Sequence, residues 1–106
     1  MGKSLMEDLV MEKLMTVYDP EIPVNIVELG LVYGVEFPKE GEVVINMTLT
    51  APGCPIADQI LQEVHDVALT VDGLHEATVN LLFDPPWSPE MMSEAARLEL
   101  GFDVFL

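Results

Sequence analysis

The chain has one cysteine, Cys54, set between Gly53 and Pro55 where an alternating apolar pattern gives way to one of helical period. Pro55 suits the first position of a helix, because its missing N–H would have no intrahelical partner there. Cys54 is then the predicted N-cap. Its sulfur would lie beside free N–H groups and the positive end of the helix dipole, which favours the thiolate. Gly53 lets the backbone bend and leaves access to the sulfur, while Asp58, one turn along, works against the effect. A reactive thiol and a small apolar residue closing a turn both fit this position.

A cysteine–histidine pair needs its base within hydrogen-bond reach. His65 lies along the same predicted helix, eleven residues on, or about 16 Å at ~1.5 Å per residue. His75 lies beyond that helix, so a hydrolase of this kind is disfavoured and both histidines read as surface or partly buried residues. One thiol excludes an intramolecular disulfide and an all-cysteine zinc site within one chain. Metal handling stays open. Cys54 with Asp19 or Glu21, from the proline-rich "DPEIP" segment, could hold an iron and leave positions free. Two copies of Cys54 across a homodimer could ligate a cluster with outside ligands. The same acidic loop also reads simply as solvated.

Nineteen acidic residues against four basic ones give a formal net charge of −15, which disfavours nucleic acid and anionic lipid as partners. Solubility, a basic partner or a cationic metal would each suit such a surface. With 106 residues, half of them hydrophobic, the chain is expected to form one domain over 1–106 rather than a disordered segment. No apolar run has the length of a membrane span and the N-terminus lacks a signal-peptide layout, so a cytoplasmic protein is expected. Three short motifs fail on context. Gly2-Lys3-Ser4 lacks the rest of a phosphate loop, Met1-Gly2 lacks the downstream hydroxyl for myristoylation, and Asn46-Met47-Thr48 lies mid-strand.

The elements that must position these residues follow from periodicity. Ser4 and Glu7 match a capping box for a first helix, whose apolar residues run from Leu5 through Leu9, Val10, Leu14 and Met15 to Val17. It should stop near Tyr18, since Asp19 precedes a proline. "DPEIPVNIVELG" reads as a rigid loop with one helical turn. Leu31, Tyr33, Val35 and Phe37 alternate as a strand, Pro38 to Gly41 turn, and Val43, Ile45, Met47 and Leu49 alternate again, with Asn46, Thr48 and Thr50 on the opposite face. Ile56, Ile60, Leu61, Val64, Val67 and Ala68 supply the apolar face of the second helix, which Gly73 can end. Ala77, Val79, Leu81 and Phe83 make a third strand. "DPPWSP" is stiff, and Ser88-Pro89-Glu90 opens a last helix ending at Gly101. Trp87 plugs the core edge or anchors an interface. The expected fold is α+β, a two-layer α/β sandwich of order α-β-β-α-β-α with a small mixed three-stranded sheet, its second and third strands parallel.

Three stretches, "YDPEIPVNIVELGLVYGVEF", "TLTAPGCPIADQI" and "FDPPWSPEMMSEAARLELGF", together resemble the PaaD/SufT-like family of metal–sulfur cluster assembly factors, from about Glu7 to Phe102. The resemblance implies a small α/β domain with a mixed sheet and a role in maturing iron–sulfur proteins, as carrier or adaptor and not as an enzyme. It implies no tightly bound cofactor, only transient iron or an iron–sulfur cluster. Its partners would be iron–sulfur assembly proteins, target apoproteins or a second copy. The family's cysteine motif falls on Cys54, its Asp-Pro-Glu motif on Asp19, Pro20 and Glu21, and a threonine on Thr50; Ala51 stands where a second threonine is common. These residues would line one shallow site, with Cys54 as thiolate ligand or nucleophile, Asp19 and Glu21 as carboxylates and Thr50 as a polar wall. The branch linked to assembly of a phenylacetyl-CoA oxygenase carries extra C-terminal cysteines, and a fused form carries an ATPase domain. Neither feature is found here, so the short stand-alone SufT-like branch fits. An accessory subunit for that ring-hydroxylating oxygenase is one alternative. A pure interaction module is another, with grooves at the Trp87 loop and the tail "FDVFL" and a structural Cys54.

Overall fold

The computed structural model describes residues 3–18, 24–49 and 57–100. The first helix, α1 (Lys3–Leu14), places Val10 and Leu14 in full burial. It begins at Lys3, so Ser4 lies inside its first turn and not at the expected cap. It also ends before Tyr18. Thr16 N donates to Lys13 O and Val17 N to Leu14 O, i−3 bonds that tighten the last turn. Val17 must leave the helix because its carbonyl accepts from Ile26 N at 2.9 Å, next to an isolated bridge between Tyr18 and Asn25. Leu5 and Met15, expected on the apolar face, are exposed.

The segment after the bridge makes the expected helical turn: Leu29 N donates to Asn25 O and Gly30 N to Val27 O. It leads into β1 (Val32–Glu36), which pairs antiparallel with β2 (Glu42–Met47). A bulge corrects the simple alternation expected of β1. The register steps from Val32↔Met47 to Gly34↔Asn46, leaving Tyr33 as the extra residue. Val32 and Val35 therefore both lie opposite core residues, Met47 and Ile45, although three positions apart. Tyr33 is freed from that face, and its hydroxyl donates to Pro85 O at 2.7 Å.

In β2 the alternation holds. Val43, Ile45 and Met47 are buried, with Leu49 continuing the row. On the other face Asn46 Nδ2 donates to Glu36 Oε2, and Asn80 Nδ2 donates to Asn46 Oδ1, so a polar ladder crosses all three strands. The helix α2 (Ala57–Ala68) returns the chain to β3 (Glu76–Leu81), which is parallel to β2, giving the sheet order β1-β2-β3. Gly73, at φ +96°, belongs to the turn beyond α2 and does not end the helix itself. Phe83 lies past the end of β3 and is exposed. Val10 and Leu14 of α1, Ile60, Val64 and Ala68 of α2 and the inner row of β2 form one apolar cluster. Each valine, leucine, isoleucine or methionine among them contributes about 1.5–3 kcal/mol by leaving water. The α+β order read from the sequence is the one observed.

Residues 82–100 form a strap that departs from the expected single helix. A 3₁₀ turn (Pro89–Met91) is separated by Met92 and Ser93 from α3 (Glu94–Leu100). Ser88 makes no side-chain cap bond; Ser93 is the cap, its Oγ accepting from Ala96 N at 3.1 Å. The strap is fastened to the 25–33 turn at several points. Ser93 N donates to Glu28 O, Ser93 Oγ bonds Glu28 Oε2, and Trp87 Nε1 donates to Leu29 O at 2.7 Å. Trp87 also packs against the core, as expected of a plug. Gly30 lets the two backbones meet: its φ is +79°, and a Cβ there would lie 2.2 Å from the Met91 carbonyl oxygen.

Two substitutions test this fastening. Gly30→Ala is expected to cost about 2–3 kcal/mol in urea unfolding, because clash and left-handed backbone act together. Ser93→Ala is expected to cost about 1 kcal/mol and to speed hydrogen exchange at the Ala96 amide. Unchanged exchange there would show that α3 does not depend on this cap.

Candidate functional site at the carboxyl end of the sheet

Asp19, Glu21, Thr50 and Cys54 all lie outside the described residues, as does the expected N-cap at Cys54 and Pro55. The described chain does establish where the segments that carry them begin and end. Val17 O accepts from Ile26 N, Ile26 O accepts from Leu31 N, and Leu31 O accepts from Thr48 N at 2.8 Å. This backbone relay runs from the residue before the Tyr18–Asn25 bridge to the first residue past β2. It therefore links the flanks of 19–23 to the flank of 50–56. Because β2 and β3 are parallel, the strap also departs from this end, where Leu82 N donates to Met47 O. The helix α2 connects the carboxyl end of β2 to the amino end of β3, so Ala57 starts from this end too. Loops beyond the carboxyl ends of parallel strands are where α/β sheets commonly place ligands.

A groove of about 190 Å³ lies beside the bridge, lined by Tyr18, Val24, Asn25 and Glu28 on one side and by Ala95, Ala96 and Glu99 on the other. Asn25 Oδ1 accepts from Glu28 N and so braces the turn. The strap thus forms a wall of the groove beside the Tyr18–Asn25 bridge. That wall was not legible beforehand, since Ser93 reads as one serine among several and Glu28 as an ordinary loop carboxylate.

Thr48 is the buried polar side chain of this end, 1% exposed, and its Oγ1 has no hydrogen-bond partner among the described residues. An unpaired buried hydroxyl costs about 1–3 kcal/mol. The sequence placed Thr48 opposite the core row of β2, but alternation alone does not distinguish a solvated hydroxyl from a buried one.

Neither histidine serves this end. His75 N donates to Gly41 O at the amino end of the sheet, the length of β2 away, about 17 Å at ~3.3 Å per residue. His65 is part-exposed on α2 and contacts Asp66 at 3.1 Å. Among the described residues no group of three or more His, Cys, Asp or Glu side chains could hold a metal ion, so a ligand set here would have to draw on Cys54 or the 19–23 carboxylates. Nor, among them, is any helix long and apolar enough to cross a membrane.

The hydrogen bond from His65, with a second from Gln62, holds the Asp66 carboxyl below its ordinary 3.8. A carboxylate with a depressed folded-state pKa adds stability above the unfolded value and loses it as pH falls through the folded one. His65→Ala should therefore move the Asp66 carboxyl titration back up toward 3.8, read by NMR; an unmoved midpoint would contradict the assignment.

Residues 7–81 match the family described as iron-sulfur cluster assembly protein. The chain is 49% identical over 96 residues to a Porphyromonas gingivalis protein named Fe-S protein maturation auxiliary factor, with 91% of each covered. It is 40% identical over 101 residues to the Bacillus subtilis Fe-S protein maturation auxiliary factor YitW, covering 95% of this chain and 98% of that one. The crystal structure of a domain of unknown function from Bacillus anthracis matches with a TM-score of 0.87 and 42% identity over 92% of this chain and 93% of that one. The match ends at Leu81, where the strap begins, and includes the relay and both segments that it joins. This chain belongs to the iron-sulfur cluster assembly protein family.

Proposed function

We propose that this protein is a maturation factor for iron–sulfur proteins, a non-catalytic carrier or adaptor that handles iron, sulfide or a cluster as transient cargo. The observation that supports it best is the backbone relay from Val17 to Thr48, which joins the flanks of the Asp-Pro-Glu segment and the cysteine segment at one end of the sheet. On this reading Cys54 is the thiolate ligand or sulfur nucleophile. Asp19 and Glu21 supply carboxylates that suit iron, and Thr50 forms a polar wall. Clusters are usually held by four thiolates, so one thiol calls for further ligands from a partner. An assembly protein, a target apoprotein or a second copy of this chain would supply them, and release to the client is then built in. The names of the relatives, auxiliary factors for maturation, agree with a non-catalytic role.

The test is complementation. In cells deleted for this gene, the activity of an iron–sulfur enzyme such as aconitase is expected to fall and to be restored by the wild-type chain. Cys54→Ala is expected to restore at most about a tenth of it, the loss typical when a ligand's support is removed. Equal rescue by both would assign Cys54 a structural part and leave an adaptor. No deficit in the deletion would overturn the maturation role for that enzyme.

A further inference from the structure

Among the described residues the two outer strands each leave one edge unpaired, and the two edges are built differently. The edge of β1 is broken by the bulge at Tyr33 and followed by Pro38 and Lys39, devices that keep a strand from pairing further. The edge of β3 has none of them. It runs in unbroken register with β2 from Glu76 to Leu81, and Ala77 to Phe83 carry no charge in a chain with nineteen acids. Glu76 N donates to Gly41 O and Leu82 N to Met47 O, so the even-numbered residues turn their backbone groups to β2. Ala77, Val79 and Leu81 therefore turn theirs outward, where no described strand meets them. The inner side of this edge is also open. All three pack against the core yet stay half-buried, and a groove of about 360 Å³ lies between α2 and β3, lined by Asp58, Leu61, Gln62, His65 and Val79.

We propose that β3 is the docking edge for a second copy of this chain, the two β3 strands pairing antiparallel about Val79 into one continuous sheet. The proposal stands apart from the maturation reading. A two-fold axis at Val79 sets Val79 opposite itself, Ala77 opposite Leu81 and Thr78 opposite Asn80. The outward N–H and C=O groups then meet their counterparts, and along this stretch no acid meets an acid. The groove suits the same axis. Asp58 and His65 stand two turns apart on one face of α2, flanking Leu61 and Gln62. Reversing that face brings Asp58 of each copy toward His65 of the other, and with Nδ1 taken by Asp66, His65 keeps Nε2 for that contact. A basic client segment fits this edge less well, since the strand offers it no carboxylate past Glu76.

Hydrogen exchange by NMR, run from about 10 μM to about 1 mM with sedimentation in parallel, tests the pairing. At high concentration the chain is expected to sediment as a dimer, with the Ala77, Val79 and Leu81 amides slowed at least about tenfold. The Glu76, Thr78 and Asn80 amides, already held by β2, should not change. Because both copies carry −15, raising salt from about 0.05 M to about 0.5 M should strengthen association by screening their repulsion. Val79→Pro removes an outward N–H and no bond to β2, and is expected to remain monomeric. Should it melt lower, Val79→Lys replaces it, setting like charges opposite each other. A monomer at about 1 mM, or a dimer whose three outward amides still exchange fast, overturns the proposal. So does association that weakens with salt. Protection of those amides in a monomeric chain by the peptide Lys-Val-Thr-Val-Lys, lost at high salt, would assign the edge to a basic segment instead.

Discussion

Leu31 donates its N–H to Ile26 and accepts at its carbonyl from Thr48, and through this one residue the turn before β1 is tied to the end of β2. The turn is tied in the other direction as well, since Ile26 N reaches back to Val17 at the exit of α1. Backbone groups buried at a sheet end must find partners or incur a cost comparable to a lost hydrogen bond. The early end of α1, the helical turn at 25–30 and the entry to β1 all follow from satisfying that requirement together. Where these elements meet is also where the two segments of chemical interest leave the described fold.

The strap completes the arrangement by a different means. It adds modest apolar burial, chiefly Met92, Ala96 and part of Trp87. It is registered by polar contacts at Glu28, Leu29 and Tyr33 and by the close backbone approach at Gly30. Hydrogen bonds are directional, so such contacts specify where the strap lies more sharply than apolar packing alone would. The bulge at Tyr33 belongs to the same design. Without the extra residue the ring would share a face with Val35 and could not reach Pro85. The family match ends just before the strap, yet the strap forms a wall of the groove beside the Tyr18–Asn25 bridge.

Surface charge bears on function differently. A formal net charge of −15 opposes close approach to surfaces of the same sign and favours cations at close range. It does not by itself bind a metal, and among the described residues no cluster of acids and histidines forms a ligand set.

Much of this was legible in the sequence because it is local. Alternation assigned the core row of β2, helical spacing assigned Ile60, Val64 and Ala68, and a turn cluster marked the hairpin. The motifs around Cys54 and Asp19 carried the family. The tertiary structure decided what depends on contacts between distant residues. Val17 left the helical pattern to pair with Ile26, Ser93 replaced Ser88 as a cap because Glu28 was there to hold it, and Tyr33 was displaced by a bulge so that it could bond Pro85. Thr48 shows the division most plainly. Its place on one face of a strand follows from a period of two, whereas its burial depends on what the rest of the chain lays over it.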